Sequence, residues 1–425
     1  MKKTDMKYQA YIEILKEELV PAMGCTEPIA LAYAAAVARE KLGCLPERVI
    51  VQASGSIIKN VKSVVVPNTA GLKGIAAAAI SGIVAGRPER ELEVIADVTT
   101  EQCAEIQAAL RTIPVKTEFL NSGCVFDMIV TLEQGGHMVR VRISDHHTNV
   151  VLIEKDGEVL FQKNNSNAGG TAQTDRSLLS VEDIWDFCMS VDPEDICDLL
   201  ERQISYNMAI AEEGLKNNYG ANIGKVLLAG NESDVVTRAR AWAAAGSDAR
   251  MNGCELPVVI NSGSGNQGIT CTVPVVIYAR EYQVSHETLL RALALSNLIA
   301  IHEKTGIGTL SAYCGAVSAG AGAGAGIAYI TGGGYQEVIH TVVNSLAIVS
   351  GIICDGAKAS CAAKIAASVD SAILGLKMYR HGQEFLGGDG IVSKGVENTI
   401  RNVGRLGRDG MRETNEEIIE MMVGS

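Results

Sequence analysis

The chain has 425 residues, 47% of them hydrophobic, enough for two or three ordinary domains and a large buried core. Its 37 Lys and Arg against 49 Asp and Glu leave a net charge of −12, with no basic run and only 5 Phe and 2 Trp, which argues against nucleic acid or an anionic membrane as partner. The 11 cysteines include no Cys-x-x-Cys, so zinc ribbons, c-type haem sites and thioredoxin-like sites lack their signatures.

The N-terminus runs into an amphipathic segment carrying Tyr8, Ile12, Ile14, Leu15 and Leu19 rather than an apolar leader, which predicts a cytoplasmic protein. An odd cysteine count in a reducing compartment speaks against structural disulfides and leaves thiol chemistry or metal binding. The pattern predicts helices over 6–21 and 28–41, strands over 49–54 and 61–66, and a turn, Pro67-Asn68-Thr69-Ala70-Gly71, opening a helix at 73–85. From 92 to 162 short alternating runs read as strands around one helix near 100–111, starting with Leu92–Val98 and ending with Glu158–Lys163. Residues 163–176 read as a linker or mobile loop.

Beyond 179 the chain reads as helical over 181–190, 194–216, 234–247, 286–302, 309–330, 335–352 and 359–379. The expected fold class is α+β: a large, mostly helical domain built from both ends of the chain (1–90 and 166–425), with a small inserted α+β domain at 91–165 containing an antiparallel sheet. No residue from Thr305 to Gln336 carries a formal charge, but the stretch is mostly Ala and Gly and reads as a helix buried all round rather than a membrane span. Its run Ser318 to Gly326 alternates Ala and Gly, each Gly costing about 1 kcal/mol relative to Ala in a helix, so close packing of neighbouring backbones must compensate.

Several places could carry chemistry. Cys25, in Gly24-Cys25-Thr26-Glu27-Pro28, stands at a helix mouth, where Thr26 can cap and the helix's partial positive charge favours thiolate, while Glu27 opposes it. Cys354 and Cys361 bracket Asp355-Gly356-Ala357-Lys358-Ala359-Ser360; in one continuous helix their α-carbons would lie roughly 10 Å apart, but a break at Asp355-Gly356 lets Cys354 fold back. With Cys314, early in the glycine-rich helix, they could hold three irons of a cubane; buried free cysteines are the competing reading. The turn Ser262-Gly263-Ser264-Gly265-Asn266-Gln267-Gly268 offers converging amides and side-chain donors (Ser262, Ser264, Asn266) to a carboxylate, and the Asn68-Thr69 turn is similar. Lys304, at a helix end, reads either as a substrate clamp or as a cap. His146 and His147, adjacent on a strand end, point to opposite faces, so a turn is the expected role. Cys44, Cys103, Cys124, Cys188, Cys197 and Cys254 read as buried small hydrophobes.

The Gly-Cys-Thr-Glu-Pro motif, the glycine turn at 262–268, Cys314-Gly315 and the segment from Cys354 to Cys361 together resemble the L-cysteine desulfidase family, related to the iron–sulfur-dependent L-serine dehydratase alpha chain. The resemblance covers essentially the whole chain in the same order. It implies a [4Fe–4S] cluster held by Cys314, Cys354 and Cys361, Cys25 as base, and carboxylate contacts from the glycine turn and from Asn68 and Thr69. It further implies β-elimination of L-cysteine to pyruvate, ammonia and sulfide. L-serine dehydration by the same parts is one alternative, and a cofactor-free binding or regulatory protein on the same fold is another. The implied partner is a small amino acid, with a homo-oligomer admitted.

Overall fold

The computed structural model describes residues 1–163, 174–308 and 311–423. In chain order its elements are α1 (Met6–Glu18), β1 (Pro21–Met23), α2 (Thr26–Leu42), β2 (Arg48–Ala53), α3 (Gly55–Val61), α4 (Gly74–Ala85), α5 (Thr100–Thr112), β3 (Val115–Phe119), β4 (Asp127–Gln134), β5 (His137–Ser144), β6 (Val150–Lys155) and β7 (Glu158–Gln162). There follow α6 (Val181–Ser190), α7 (Cys197–Lys216), α8 (Ile223–Leu228), α9 (Val235–Met251), β8 (Pro257–Val259), α10 (Gly265–Glu281), α11 (His286–Ile307), α12 (Gly315–Ile330), α13 (Tyr335–Val349), α14 (Cys361–Arg380), α15 (Val396–Arg405) and α16 (Arg412–Val423). The class is α+β with a mostly helical body, as expected from the sequence.

A six-stranded sheet runs in the order β3-β2-β4-β5-β6-β7. All pairs are antiparallel except β2 with β3, which run parallel, so the sheet is mixed rather than purely antiparallel. On one side α2, α4 and α5 complete a hydrophobic core drawn from residues 29 to 153. The inserted domain expected to begin at residue 91 thus meets a sheet and core that already use α2, β2 and α4. Two expected strands are absent. The chain leaves β2 at Ala53 and turns at once into α3, all of whose residues are buried, so 61–66 is not a strand; Leu92 lies in a short 3-10 turn begun by Pro88, from which only Val94 and Ile95 reach the core. The linker expected over 163–176 lies largely outside the described residues.

In the helical body, α12 is surrounded by α10, α11, α13 and α14, and its glycines are where the neighbours touch it. A β-carbon at Gly320 would meet Ser368 of α14 at 2.8 Å, one at Gly322 the Ser296 carbonyl of α11 at 2.3 Å, and one at Gly324 Ala372 of α14 at 2.7 Å. Each glycine's low helix propensity is offset by dispersion contacts that only a bare backbone admits. Among the described residues no helix is long and apolar enough to cross a membrane. The sequence reading missed α10, whose glycine-rich start and internal Pro274 break a helical pattern that burial on nearly every face makes good.

Inside this body Glu303 of α11 is 1% exposed, and burial lifts its pKa well above the usual carboxyl range, opposed only by the Ser318 hydroxyl. A carboxyl held neutral in the fold binds its proton more tightly than in the unfolded chain. Its contribution is complete below the unfolded value near pH 4.3 and is lost as pH rises above it. In urea titrations from pH 4 to pH 8, Glu303→Gln should remove a downward slope of up to about 1.4 kcal/mol per pH unit. Gly322→Ala should cost about 3 kcal/mol, whereas Gly351→Ala, whose β-carbon meets nothing within 4 Å, should stay within about 0.5 kcal/mol; thermal unfolding of the two variants checks this.

Candidate active site

Four helices begin at one cavity of about 530 Å³. Cys25 is the N-cap of α2, Ser264 of α10 and Cys314 of α12, and none of the three makes a side-chain capping bond; Cys361 is the first residue of α14. Each of these residues lines the cavity, so four helix N-termini with their partial positive charges face the same space, although the first amides of α14 donate to the carbonyls of Lys358 and Ala359 in the loop before it. The expected capping role of Thr26 falls to Cys25; the Thr26 hydroxyl donates instead to the Gly263 carbonyl at 3.2 Å, tying α2 to the turn before α10.

The cysteines are brought together by a backbone bridge rather than by proximity in sequence. Tyr313 pairs antiparallel with Ile353; the Cys314 amide donates to the Ile352 carbonyl at 3.1 Å and the Cys354 amide to the Ala312 carbonyl at 2.6 Å. Residues 354–360 form a loop, not a helical turn. Gly356 at φ +96° passes so close to the Lys59 carbonyl that a β-carbon there would lie 2.4 Å from it. Asp355 does not cap α14 but pairs with Lys358 and Lys364. Buried Lys59 donates to the Cys354 carbonyl at 3.1 Å and to Asn415 of α16 at 2.7 Å, clamping the loop from below.

Burial pushes the Cys314 thiol up to about 12, reinforced by Cys354, and raises Cys361 for the same reasons. Lys59, Lys304 and Lys364 all lie within electrostatic reach of these thiols, and burial lowers Lys304 to about 8 against the pull of Cys354 and Cys314. Cys25 clusters with Val64 and Met251, a cluster against which Ala357 and Cys361 pack, and it donates its S–H to Glu27 at 3.0 Å; burial and the Glu27 charge hold that thiol well above its ordinary range. Glu27 also accepts from Asn60 at 2.8 Å and lies near His147, and together these interactions hold its carboxylate low despite its burial.

Ser262, Ser264, Asn266 and Lys304 line the same cavity. Asn68 and Thr69 do not. The Asn68 amide donates to the carbonyls of Ile95 and Ala96 at 2.8 and 3.0 Å, and the Thr69 hydroxyl donates to Val66 at 2.6 Å, so their donors serve the turn itself. The sequence reading missed Glu27 as a partner of Cys25, and it missed Asn60, Arg250 and Gln267 altogether. His147, read as a turn residue, reaches the cavity with its ring edge-on to Phe126 at 4.7 Å. Nothing in local spacing shows that these residues meet, because each comes from a different element.

The cavity fits a polynuclear iron–sulfur group better than a single ion. Among the described residues the one trio of potential ligands with atoms all within 4.8 Å of one another is Cys197, Glu201 and His286, on α7 and α11, where a Glu201–His286 ion pair at 3.0 Å already accounts for the arrangement. Cys314, Cys354 and Cys361 share one cavity yet spread wider than a tetrahedral ion bound at about 2.3 Å requires. Thiolate ligands in a site of converging amides and lysines are what an iron–sulfur cluster uses. Asn68→Ala should lower stability by about 2 kcal/mol through its lost buried bonds, while leaving the affinity for a cavity ligand unchanged in calorimetry.

A family profile described as serine dehydratase alpha chain matches residues 89–420. A UPF0597 protein of Desulfitobacterium hafniense is 57% identical over 423 residues, covering 100% of this chain and 98% of the relative. UPF0597 proteins of Lachnoclostridium phytofermentans and Treponema denticola are 51% and 46% identical, each covering 98% of this chain and 100% and 98% of the respective relative. With the match spanning most of its length and relatives aligned from end to end, the chain belongs to the serine dehydratase alpha chain family.

Proposed function

We propose that this chain is an iron–sulfur-dependent lyase that eliminates the β-substituent of L-cysteine, giving sulfide, pyruvate and ammonia in the cytoplasm. The observation that carries the reading is that Cys25, Cys314, Cys354 and Cys361 line one cavity, with Cys361 packed against the small cluster that contains Cys25. That puts a candidate base beside the three thiols that would hold a [4Fe–4S] cluster. When bound, such a cluster with only three protein thiolates supplies an iron open to the substrate's leaving group, a Lewis acid for a departing sulfur. Cys25 is already engaged with Glu27, which keeps it from being the fourth ligand and leaves it for proton transfer.

The chain's own residues would act as follows. Glu27 accepts the Cys25 S–H and fixes the sulfur's position while its charge opposes ionisation, and the nearby Arg250 charge favours the thiolate that takes the substrate's α-proton; Asn60 and Thr26 hold the Glu27 carboxylate in place. Ser264 and Asn266, at the N-terminus of α10, direct donors at the substrate carboxylate, with Ser262 and Lys304 lining the same pocket. Removal of the α-proton and departure of sulfide leave 2-aminoacrylate, which tautomerises to an imine and takes up water to give pyruvate and ammonia.

A second reading, dehydration of L-serine, is favoured by the family description itself and uses the same groups with hydroxide as leaving group. After anaerobic reconstitution with iron and sulfide, sulfide release from L-cysteine and pyruvate formation from L-serine are compared on one preparation; the larger kcat/KM names the substrate. Fewer than about three irons per chain would sink the cluster assignment. Cys25→Ser should keep its iron and its visible absorption while kcat falls by about 10²–10⁴-fold, since a hydroxyl gives up its proton far less readily than a thiol.

A further inference from the structure

Arg250, in the last turn of α9, lies inside the cavity at 4% exposure. Its position at a helix C-terminus suits a cation, but its surroundings do not otherwise satisfy it. One terminal nitrogen donates to Asn266 Oδ1 at 3.2 Å, the Nε atom is buried without a hydrogen-bond partner, and among the described residues no carboxylate forms an ion pair with it. Glu27 is near enough to be felt electrostatically but is occupied by Cys25, Thr26 and Asn60.

Arg250 also lies against the start of another helix. A β-carbon on Gly265, the first residue of α10, would fall 2.2 Å from Arg250 Nε and 2.6 Å from its Cζ, so glycine there is what lets the guanidinium lie across the N-terminus of α10. A permanent cation placed on a helix's positive end is unfavourable on its own and favourable once an anion sits between them. Gln267, one turn into the same helix and 4% exposed, likewise has an unpartnered Oε1, and it packs where a Gly315 β-carbon would stand, at the start of α12. Two buried, incompletely partnered side chains, one of them always charged, thus face one cavity at two helix starts.

Resting on the amino-acid lyase reading above, we infer that Arg250 is the receptor for the substrate's α-carboxylate, its guanidinium fork and the α10 amides closing on the two oxygens. The Nε–H then gains an acceptor, and the substrate amine can reach the vacant Gln267 oxygen. A guanidinium fork matches a planar carboxylate and has much less to offer a neutral amide. The substrate class is therefore a free α-amino acid, with esters, amides and peptides refused at the carboxyl end. Ser264 and Asn266 then act as supports of this receptor, and Lys304, whose ammonium donates to the Gly308 carbonyl, closes the end of α11 beside the cavity.

The test uses the reconstituted protein and two probes that lack a leaving group, L-alanine and L-alaninamide, measured by calorimetry beside turnover of L-cysteine. The wild type should prefer the acid by at least about 100-fold, and Arg250→Gln should bring that preference near unity and raise KM far more than it lowers kcat. Arg250→Lys, which keeps the charge without the fork, should recover part of the preference. Gly265→Ala gives an independent check: it leaves the guanidinium chemistry intact but forces it aside, and it should weaken L-alanine selectively. Thermal unfolding separates a misfolded variant from a folded one, and the remaining folded variants still decide. An unchanged acid-to-amide ratio in folded Arg250→Gln, with sulfide still released, overturns the receptor assignment alone. A clear Arg250-dependent preference without release of sulfide or pyruvate upholds the receptor and overturns the reaction.

Discussion

The start of four helices at a single cavity is the constraint on which the rest of this structure depends. Each start brings a partial positive charge to the same partly enclosed space. Lys59, Lys304, Lys364 and Arg250 add full charges to the same region. So much concentrated positive potential is tolerable only when anions share the space. The anions within reach include the Glu27 carboxylate, Asp355, already paired with Lys364, Glu17, Glu18 and Asp145 on the cavity wall, and the cysteine sulfurs once deprotonated.

Convergence of this kind demands that helices approach more closely than ordinary side chains allow, and the glycines of α12 answer that demand. With Gly320, Gly322 and Gly324 against α14 and α11, the neighbouring backbones come into contact. Gly265 and Gly315 do the same work at the cavity, making room for Arg250 and Gln267. Glycine in this fold is thus less a source of flexibility than a way of placing backbone against backbone, and backbone against a charged side chain.

The α2, α4 and α5 layer on the mixed sheet supports the site from the other side. Its turn after β5 delivers His147, and α2 delivers Cys25 and Glu27, so these three come from elements of one core while Cys314, Cys354 and Cys361 belong to the helical body. Lys59 joins the two, reaching from α3 to the Cys354 carbonyl and to Asn415. The cavity lies where these two packing units meet, and neither unit alone supplies a complete set of polar groups.

Much of this could be read from residue order alone. Capping signals located the helix start at Cys25 to within two residues, because such signals are local, whereas the glycine-rich helix, expected from residue 309, begins only at Gly315; the break at Asp355-Gly356 was legible, although the residues after it form a loop held by Lys59 instead of a first helical turn. Alternation marked most strands but misassigned 61–66 and 92–98, whose apolar residues face a core without a ladder partner. Asn68 and Thr69 carry the donor chemistry of a binding turn, and only the fold shows those donors spent on neighbouring carbonyls. Glu27 and Gln267 lie within motifs the sequence marks and His147 in a visible pair, but Arg250 has no local signal, and that the four face one cavity is legible only in the fold. The sequence by itself determined which thiols sit at helix ends, since propensity and capping act over a few residues. Only the tertiary structure decided which ends meet and which buried charges face them, since that depends on packing between elements distant in the chain.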